Sequence, residues 1–313
     1  MAQKGKHRIQ MALEVTRGTA VTPNTLELAV LDDGFQPTLT NGQGEIIANV
    51  TFPYVTAQVP VGVTARFTLK PDVNRDNVRD LLLLATKRTS GVLPSVTVVD
   101  DQFGVGAAQY SGCVCSGLTL SASRGAAPGR ENIWQIESMT FECMKVANAA
   151  GTIASLTAAV APRFHLRHST FLVNNVSALE IVNSRIGWAN ALGLGPVDSA
   201  NKRLWIEDGL ETHDLQHTAR FTATTWRALV EGGTVSPGTG PGEAATNTIV
   251  IGTGTANETV TLTIGKAQIE SRELGESDGV VTEQITLKPF HTGAAATIVP
   301  SFGSSIGLTV LGL

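Results

Sequence analysis

The chain has 313 residues, of which 42% are hydrophobic and only 16% are charged, a composition that excludes an intrinsically disordered protein. Its length is sufficient for two domains that each bury a core. The net charge of -4 argues against a protein that grips DNA phosphates through a basic face, although not against one past which DNA slides. Abundant Thr and Val and 32 glycines predict a β-rich fold with many tight turns.

Residues 1–33 are predicted to form an N-terminal arm. They include the basic cluster Lys4, Lys6 and Arg8 near their start. Two interpretations stay open, a frayed terminus and an arm that packs on a neighbouring subunit. The N-terminus lacks an apolar run of signal-peptide length, and no stretch of the sequence is apolar and long enough to span a membrane. We therefore expect a protein that is made in a cytoplasm and has no membrane contact.

The clearest strand is predicted at residues 59–70, where apolar and mostly polar side chains alternate with the period of two that buries one face of a strand. Pro60 has no backbone N–H, so this end is expected at a sheet edge or a bulge. Pro71 and Asp72 then signal a helix over residues 74–87. The apolar face of the strand is predicted to consist of Val59, Val61, Val63, Ala65, Phe67 and Leu69.

Three cysteines, Cys113, Cys115 and Cys143, lie in the strands that follow the helix. Their odd number offers no closed disulfide framework. Cys113 and Cys115 are two apart on one extended strand and are poorly placed to bridge each other. All three are predicted to be small buried residues of a protein made in a reducing cytoplasm. The strands predicted here are Ser95–Val99, Cys113–Ala122 and Ile133–Met144.

The second half of the chain repeats the order of the first. Residues 64–68, with the sequence TARFT, recur as residues 218–222, an offset of 218 − 64 = 154 residues. Each copy lies on an alternating strand and leads into a short predicted helix and three more strands, from which we infer an internal duplication. The second-half elements are the helix Trp226–Glu231, the loop Gly232–Asn247 and the strands Thr248–Ile251, Thr259–Ile269 and Val280–Lys288.

The predicted fold is mainly β, with two packed antiparallel β-sandwich or half-barrel units, each with a short flanking helix. After the arm at 1–33, we expect the first β domain at 34–146, a connection at 147–170 and the second β domain at 171–313. Phe67 and Phe221 are expected to be equivalent core positions of the two domains.

No residue is predicted to be catalytic or to bind a cofactor or metal, so the chain is not expected to be an enzyme. Histidine pairs three and four residues apart lack the further ligands of a metal site. Adjacent acids are interpreted as solvated turn residues, and the tryptophans as core or interface packing, because a base-stacking platform needs interleaved basic residues. The groups weighed were His165 with His168, His213 with His217 and Asp214, Asp100 with Asp101, Glu207 with Asp208, Trp134, Trp188, Trp205, Trp226, and Arg203 beside Trp205.

Several segments resemble the tail tube, or major tail, proteins of long-tailed bacteriophages. The opening segment ALEVTRGTAVTPNTLELAVLDDG and the segment YSGCVCSGLTLSASRG carry this resemblance in the first half. The resemblance covers most of the chain and includes no catalytic residues. The segments are 12–34, 110–125, 177–192, 202–223 and 279–290.

The resemblance implies a sandwich of two antiparallel sheets flanked by a helix. It also implies rings of subunits whose strands close an inner β-barrel, and stacking of these rings into a tube through which genomic DNA leaves the capsid without specific binding. A duplicated chain resembles members with three subunits in a pseudo-sixfold ring, whereas many members form hexamers. The implied partners are further copies of the chain and the tape measure, terminator and distal tail proteins, in the tail of a virion made in a bacterial cytoplasm.

Three alternatives are weighed against this interpretation. Another virion structural protein, such as a tail terminator, minor tail or decoration protein, would form single rings or trimers. An extracellular adhesin or carbohydrate-binding sandwich is disfavoured by the lack of a recognisable signal sequence. An enzyme on a β scaffold is disfavoured because no catalytic constellation is found.

Overall fold

The computed structural model describes residues 7–40, 46–47, 54–55, 64–102, 106–124, 132–148, 160–173, 176–177, 181–196, 203–220, 243–244, 247–277, 280–289, 298–307 and 309–313. These residues form a mainly β protein with antiparallel sheets, which confirms the predicted fold class. The described part contains one α-helix, α1, at Val78–Thr86.

The strands of the described residues form a large sheet, a five-stranded sheet and a separate two-stranded ladder. In chain order they are β1 His7–Leu13, β2 Leu26–Leu28, β3 Val30–Thr40, β4 Ile46–Ile47, β5 Tyr54–Val55, β6 Thr64–Pro71, β7 Ser95–Gln102, β8 Gly106–Ser123, β9 Gln135–Cys143, β10 Lys145–Asn148, β11 His165–Val173, β12 Val176–Ser177, β13 Ile181–Leu194, β14 Ile206–Arg220, β15 Glu243–Ala244, β16 Asn247–Gly252, β17 Thr259–Ile264, β18 Ala267–Ser277, β19 Val280–Pro289 and β20 Ile298–Phe302.

One continuous path of antiparallel strands runs through both halves of the chain. Its order is β3–β6–β9–β8–β13–β14–β19–β18–β15, and we call it the long sheet. The halves meet where β8 pairs with β13, with Ser123 opposite Asn183 and Gly117 opposite Ala189. Backbone pairing therefore continues across the boundary between the halves.

The strand order of the long sheet occurs twice. The first half contributes β3–β6–β9–β8 and the second half β13–β14–β19–β18, and in each the last two strands lie in the reverse of their chain order. The repeated TAR sequence starts β6 at Thr64 and ends β14 at Arg220, and Ala65 and Ala219 are both buried. This topology supports the internal duplication, which stays a prediction.

A second set of pairings, which shares β8 with the long sheet, shows the same repetition. In the first half the pairing order is β2–β1–β7–β8–β10, and in the second half it is β12–β11–β16–β17–β20. Buried side chains of both sets of strands and both halves belong to one hydrophobic cluster, to which Val98, Leu120, Ile186 and Leu262 contribute. The burial of this apolar surface is the main stabilising term of the fold.

The prediction of one strand over Thr259–Ile269 is wrong. β17 ends at Ile264, the exposed residues Gly265 and Lys266 follow, and β18 starts at Ala267 in the other sheet. In the first half the corresponding change of partner strand occurs within the single strand β8. Its first part pairs with β7 and its later part with β9, and the register with β9 shifts between Cys115 and Gly117. The Thr/Val/Leu/Ile alternation reports which face of a strand is buried, but it does not report a change of sheet.

Most of the other predicted strands are confirmed with shifted ends, as β7, β8, β9, β16 and β19. The strand predicted at 59–70 is described from Thr64 onward, as β6. Its Phe67 is fully buried, with ring centroids 5.4 Å from Phe35, 5.2 Å from Tyr110 and 5.1 Å from Phe141. The expected equivalent residue Phe221, the end at Pro60, the helix 226–231 and nearly all of the loop 232–247 lie outside the described residues.

The predicted helix at 74–87 is shorter than expected. Asn74 accepts hydrogen bonds at Oδ1 from the backbone N–H groups of Asp76 (3.0 Å) and Asn77 (3.3 Å). Such local side-chain bonds compete with helical hydrogen bonding, and α1 begins at Val78. Leu81, Leu82 and Leu84 are buried in the core, so the helix flanks the sheets as predicted.

The described part of the expected arm at 1–33 packs within the first half. β1 pairs with β7 over its whole length and with β2 at Ile9–Met11. Ile9 and Met11 are fully buried and Leu28 is 2% exposed, so these strands belong to the hydrophobic core. The domain boundaries given above stay predictions.

Candidate functional site

The long sheet has one face lined with small polar side chains, which we call the polar face. Directly opposite residues on neighbouring strands share a face, so the strand registers define rows across the sheet. The core-side residues Ala122, Ser184, His217 and Ile285 are buried between the two rows given next. Two rows of the polar face are Gln135, Ser121, Arg185, Gln216, Thr286 and Ser271, and Ser123, Asn183, Thr218, Gln284 and Glu273.

Arg185 lies at the junction of the two halves and is balanced by an acid from each. Its Nε is 3.4 Å from Glu137 on β9, and its Nη1 is 3.5 Å from Asp214 on β14. All three side chains are about half exposed, so these ion pairs contribute little to stability. Their effect is electrostatic, because the two carboxylates offset the positive charge of the guanidinium and weaken its attraction for a phosphate.

Two more bases on the polar face also have carboxylate partners. Arg66 on β6 lies 3.5 Å from Glu142 on β9, and Lys288 on β19 lies 3.5 Å from Glu270 on β18. Burial raises the pKa of Glu142, whereas Arg66 and then Arg203 lower it. The face thus combines Thr, Ser, Gln and Asn side chains with cross-strand ion pairs.

An open groove of about 590 Å³ lies on the polar face. The groove extends from Thr119 on β8 to Glu270 on β18, and it crosses β13, β14 and β19 between them. Its floor includes Gly187, which has no side chain. The arrangement gives a concave polar surface that spans both halves.

The two ends of the long sheet are open edges in the part of the chain that the structure describes. At one end β3 pairs only with β6. At the other end β18 pairs with β15 at Ala267 and Gln268, and its remaining residues have only β19 beside them. Unpaired edges are templates for pairing with another chain.

The β18 edge exposes an apolar side chain on the core side of the sheet. A row of opposite residues runs from Ile181 through Ala219 and Glu283 to Leu274. The first three are 4–7% exposed, whereas Leu274 at the edge is 62% exposed. Leu274 therefore has the position of a core residue that no described strand covers.

A buried polar network fixes the junction of the halves. Asn190 on β13 donates through Nδ2 to the carbonyl oxygens of Ala85 on α1 (3.0 Å) and Cys115 on β8 (3.1 Å). Arg88 donates to Asn190 Oδ1 at 3.0 Å and lies 3.7 Å from Glu211 on β14. The junction is thus held by side chains as well as by the pairing of β8 with β13.

The two histidine pairs that were weighed as metal ligands lie in different environments. His213 and His217 are buried on β14, where His213 Nε2 is 3.0 Å from Glu211 Oε1, and His217 Nδ1 is 3.0 Å from Ser184 Oγ. Burial lowers the pKa of His217 to about 4. The rings of His165 and His168 are 6.0 Å apart, edge to face. No cluster of three potential metal ligands occurs among the described residues.

The other residues weighed in the sequence are structural or are not described. Trp134 is buried and donates through Nε1 to Ser169 Oγ at 2.9 Å. Trp188 is also buried, as predicted, whereas Trp205 is 45% exposed. Asp100 is buried, and Asp208 is paired with Arg17 across the halves, so neither is the solvated turn residue that was expected. Trp226 lies outside the described residues.

Sequence reasoning missed the polar face and the two edges. Alternation in β13 and β14 indicates one polar side on each strand, but only the order of strands brings Glu137, Arg185 and Asp214 together. Within the described residues, no helix is long and apolar enough to cross a membrane.

Comparison with known families identifies a match over most of the chain. The family described as phage tail tube protein matches residues 6–289, which is most of the chain. A comparison with curated proteins finds no match.

Proposed function

The chain belongs to the phage tail tube protein family and is a structural protein of the virion tail, and on this premise we propose that its copies form rings that stack into the tail tube. The tube is the conduit through which genomic DNA passes into the host. This role requires self-association and a lumen, and it requires no catalytic residue.

We propose three copies in each ring. The support is the strand order of the long sheet, in which β3–β6–β9–β8 is followed by β13–β14–β19–β18. One chain thus carries two consecutive four-strand blocks, and three chains supply six blocks. The result is a pseudo-sixfold ring of three duplicated subunits, and the repeated topology is the observation that carries this proposal.

The ring closes through the two open edges. β8, the last strand of the first block, pairs antiparallel with β13, the first strand of the second block. By the same geometry β18 of one copy pairs antiparallel with β3 of the next copy. A ring built from this head-to-tail contact closes after three copies when each copy is rotated by a third of a turn from the last. The closed barrel then leaves no exposed strand edge.

The polar face lines the lumen in this arrangement. Its concave shape, its small polar side chains and its cross-strand ion pairs suit a wall past which a polyanion slides. The described face pairs Arg66, Arg185 and Lys288 with acids. DNA therefore meets a surface that neither holds nor strongly repels it.

Electron microscopy of the purified full-length protein tests the proposal. We expect averaged hollow rings with pseudo-sixfold symmetry, and tubes of stacked rings. The mass of one ring separates the stoichiometries, because three chains of 32.8 kDa give half the mass of six. Six chains per ring would contradict the three-copy arrangement, and single rings that never stack would indicate a terminator, minor tail or decoration protein.

A further inference from the structure

Two of the three cysteines face each other across neighbouring strands. Cys113 on β8 and Cys143 on β9 have their Sγ atoms 2.8 Å apart. The adjacent pair, Val114 opposite Glu142, sets the register that aligns the two cysteines. Directly opposite residues of antiparallel strands have Cα atoms about 4.5–5.5 Å apart, within the range of about 4.4–6.8 Å that disulfides span.

Cys115 is also buried, but it has a different partner. It lies on β8, two residues after Cys113, and its Sγ is 3.4 Å from the carbonyl oxygen of Gly117 on the same strand. It therefore serves as an internal control, a thiol with equal burial on the same strand and no sulfur partner in the contacts of the described residues.

We propose that Cys113 and Cys143 are a modification site, at which an intramolecular disulfide forms when the protein is exposed to a low-molecular-weight disulfide. One thiolate attacks that disulfide, which gives a mixed disulfide and releases one small thiol. The second cysteine then attacks the mixed disulfide, forms the Cys113–Cys143 bond and releases the second small thiol. The protein loses two protons and two electrons, and one molecule of oxidant takes them up and is reduced to two thiols.

Burial makes this reaction slow in the folded protein. It raises the pKa of Cys113 and Cys143, so that few molecules hold the reactive thiolate at neutral pH. Both side chains are also fully buried, so the oxidant reaches them only when β8 and β9 open locally. The pair therefore stays reduced during synthesis in a cytoplasm and is oxidised slowly in the oxidising surroundings of a released virion.

The bond would join two strands that carry the polar face near the junction of the halves. The two cysteines are 30 residues apart in sequence, and β8 also pairs with β13 of the second half. Closing this loop removes conformations from the unfolded chain. The expected effect is a rise of roughly 5–15 °C in the unfolding temperature, reversed by a reductant.

Oxidised glutathione and mass spectrometry test the site independently of assembly. The full-length protein is incubated with oxidised glutathione, alkylated after denaturation without reductant, and mapped as peptides. We expect one alkylated thiol, at Cys115, and a linked peptide pair containing Cys113 and Cys143. The Cys115→Ala variant should retain the link and Cys143→Ala should lose it.

Three outcomes of this experiment would overturn the proposal. They are three alkylated thiols after prolonged exposure, a bond that involves Cys115, and stable glutathione adducts without a link. If Cys143→Ala fails to fold, the wild-type peptide map and the reversible rise in unfolding temperature decide the matter alone.

Discussion

Arg17 and Asp208 form an ion pair, with Nη2 2.9 Å from Oδ2, that joins the two halves of the chain. Arg17 follows β1, and Asp208 lies near the start of β14. The same guanidinium donates to the carbonyl oxygens of Ile206 and Leu93, each at 2.7 Å. The carboxylate of Asp208 is 6% exposed, so it depends on Arg17 for compensation of its charge.

Replacing Arg17 by Ala is expected to destabilise the protein by about 3–5 kcal/mol, because the buried carboxylate of Asp208 loses its counter-charge. The free energy of unfolding in urea measures this. Arg185→Ala is the matched control, because Arg185 and its partners Glu137 and Asp214 are all about half exposed, and their pairing should be worth at most about 1 kcal/mol. Equal losses in the two variants would contradict a structural role for the pair of Arg17 with Asp208.

Leu274→Asp is expected to prevent ring formation and to leave the fold of the subunit intact. Leu274 is exposed at the β18 edge, so the new carboxylate is solvated in the free subunit and buried in the proposed ring. Size-exclusion chromatography and the unfolding temperature are measured together. Glu273→Gln, on the polar face of the same strand, is the control and should still assemble. Normal rings from Leu274→Asp would refute pairing of β18 with β3.

Stability is expected to fall as the pH falls, in part because of His217. Burial lowers its folded-state pKa to about 4, below the ordinary 6.5. Between these values the unfolded chain binds a proton that the folded protein does not, so this contribution is present above 6.5 and is lost toward 4. From about pH 7 to about pH 5 the loss is about 2 kcal/mol. His217→Gln should lose less stability over this interval, and an unchanged slope would contradict the assignment.

Removing the acids beside Arg185 is expected to make tubes hold DNA. The double variant Glu137→Gln with Asp214→Asn leaves the guanidinium without its two carboxylates. Assembled tubes should then retain a short oligonucleotide several-fold more tightly at low salt, with protection from nuclease and release at high salt. Glu27→Gln, which alters a pair with Arg8 away from the polar face, is the control. If the double variant binds no more than the control, the polar face does not line the lumen.

Phe67→Ala and Phe221→Ala together test the internal duplication. Phe67 is fully buried among aromatic rings, so its loss should cost about 3–5 kcal/mol. If the second half repeats the first, Phe221→Ala should have a similar cost in urea unfolding. A cost below about 1 kcal/mol would indicate that Phe221 is not the equivalent core residue.

Local patterns in the sequence determined the class of the fold and several of its strands. Alternation at Ala65, Phe67 and Leu69 specified which face of β6 is buried, and the structure agrees. The burial of the cysteines and the existence of α1 were likewise predictable, because they follow from residue type and short-range periodicity. The start of α1 was missed, because the side chain of Asn74 bonds the backbone of a preceding turn.

The sequence by itself therefore determined which side of a strand such as β6 faces the core, through a period of two that is local in the chain. Only the tertiary structure decided which strands are neighbours, because pairing joins residues far apart in sequence. It paired β8 with β13, separated β17 from β18, and set Arg185 between Glu137 and Asp214. It also brought Cys113 to Cys143. The alternation of apolar and polar residues does not specify which strand is the neighbour, and the polar face and its edges depend on which strands are neighbours.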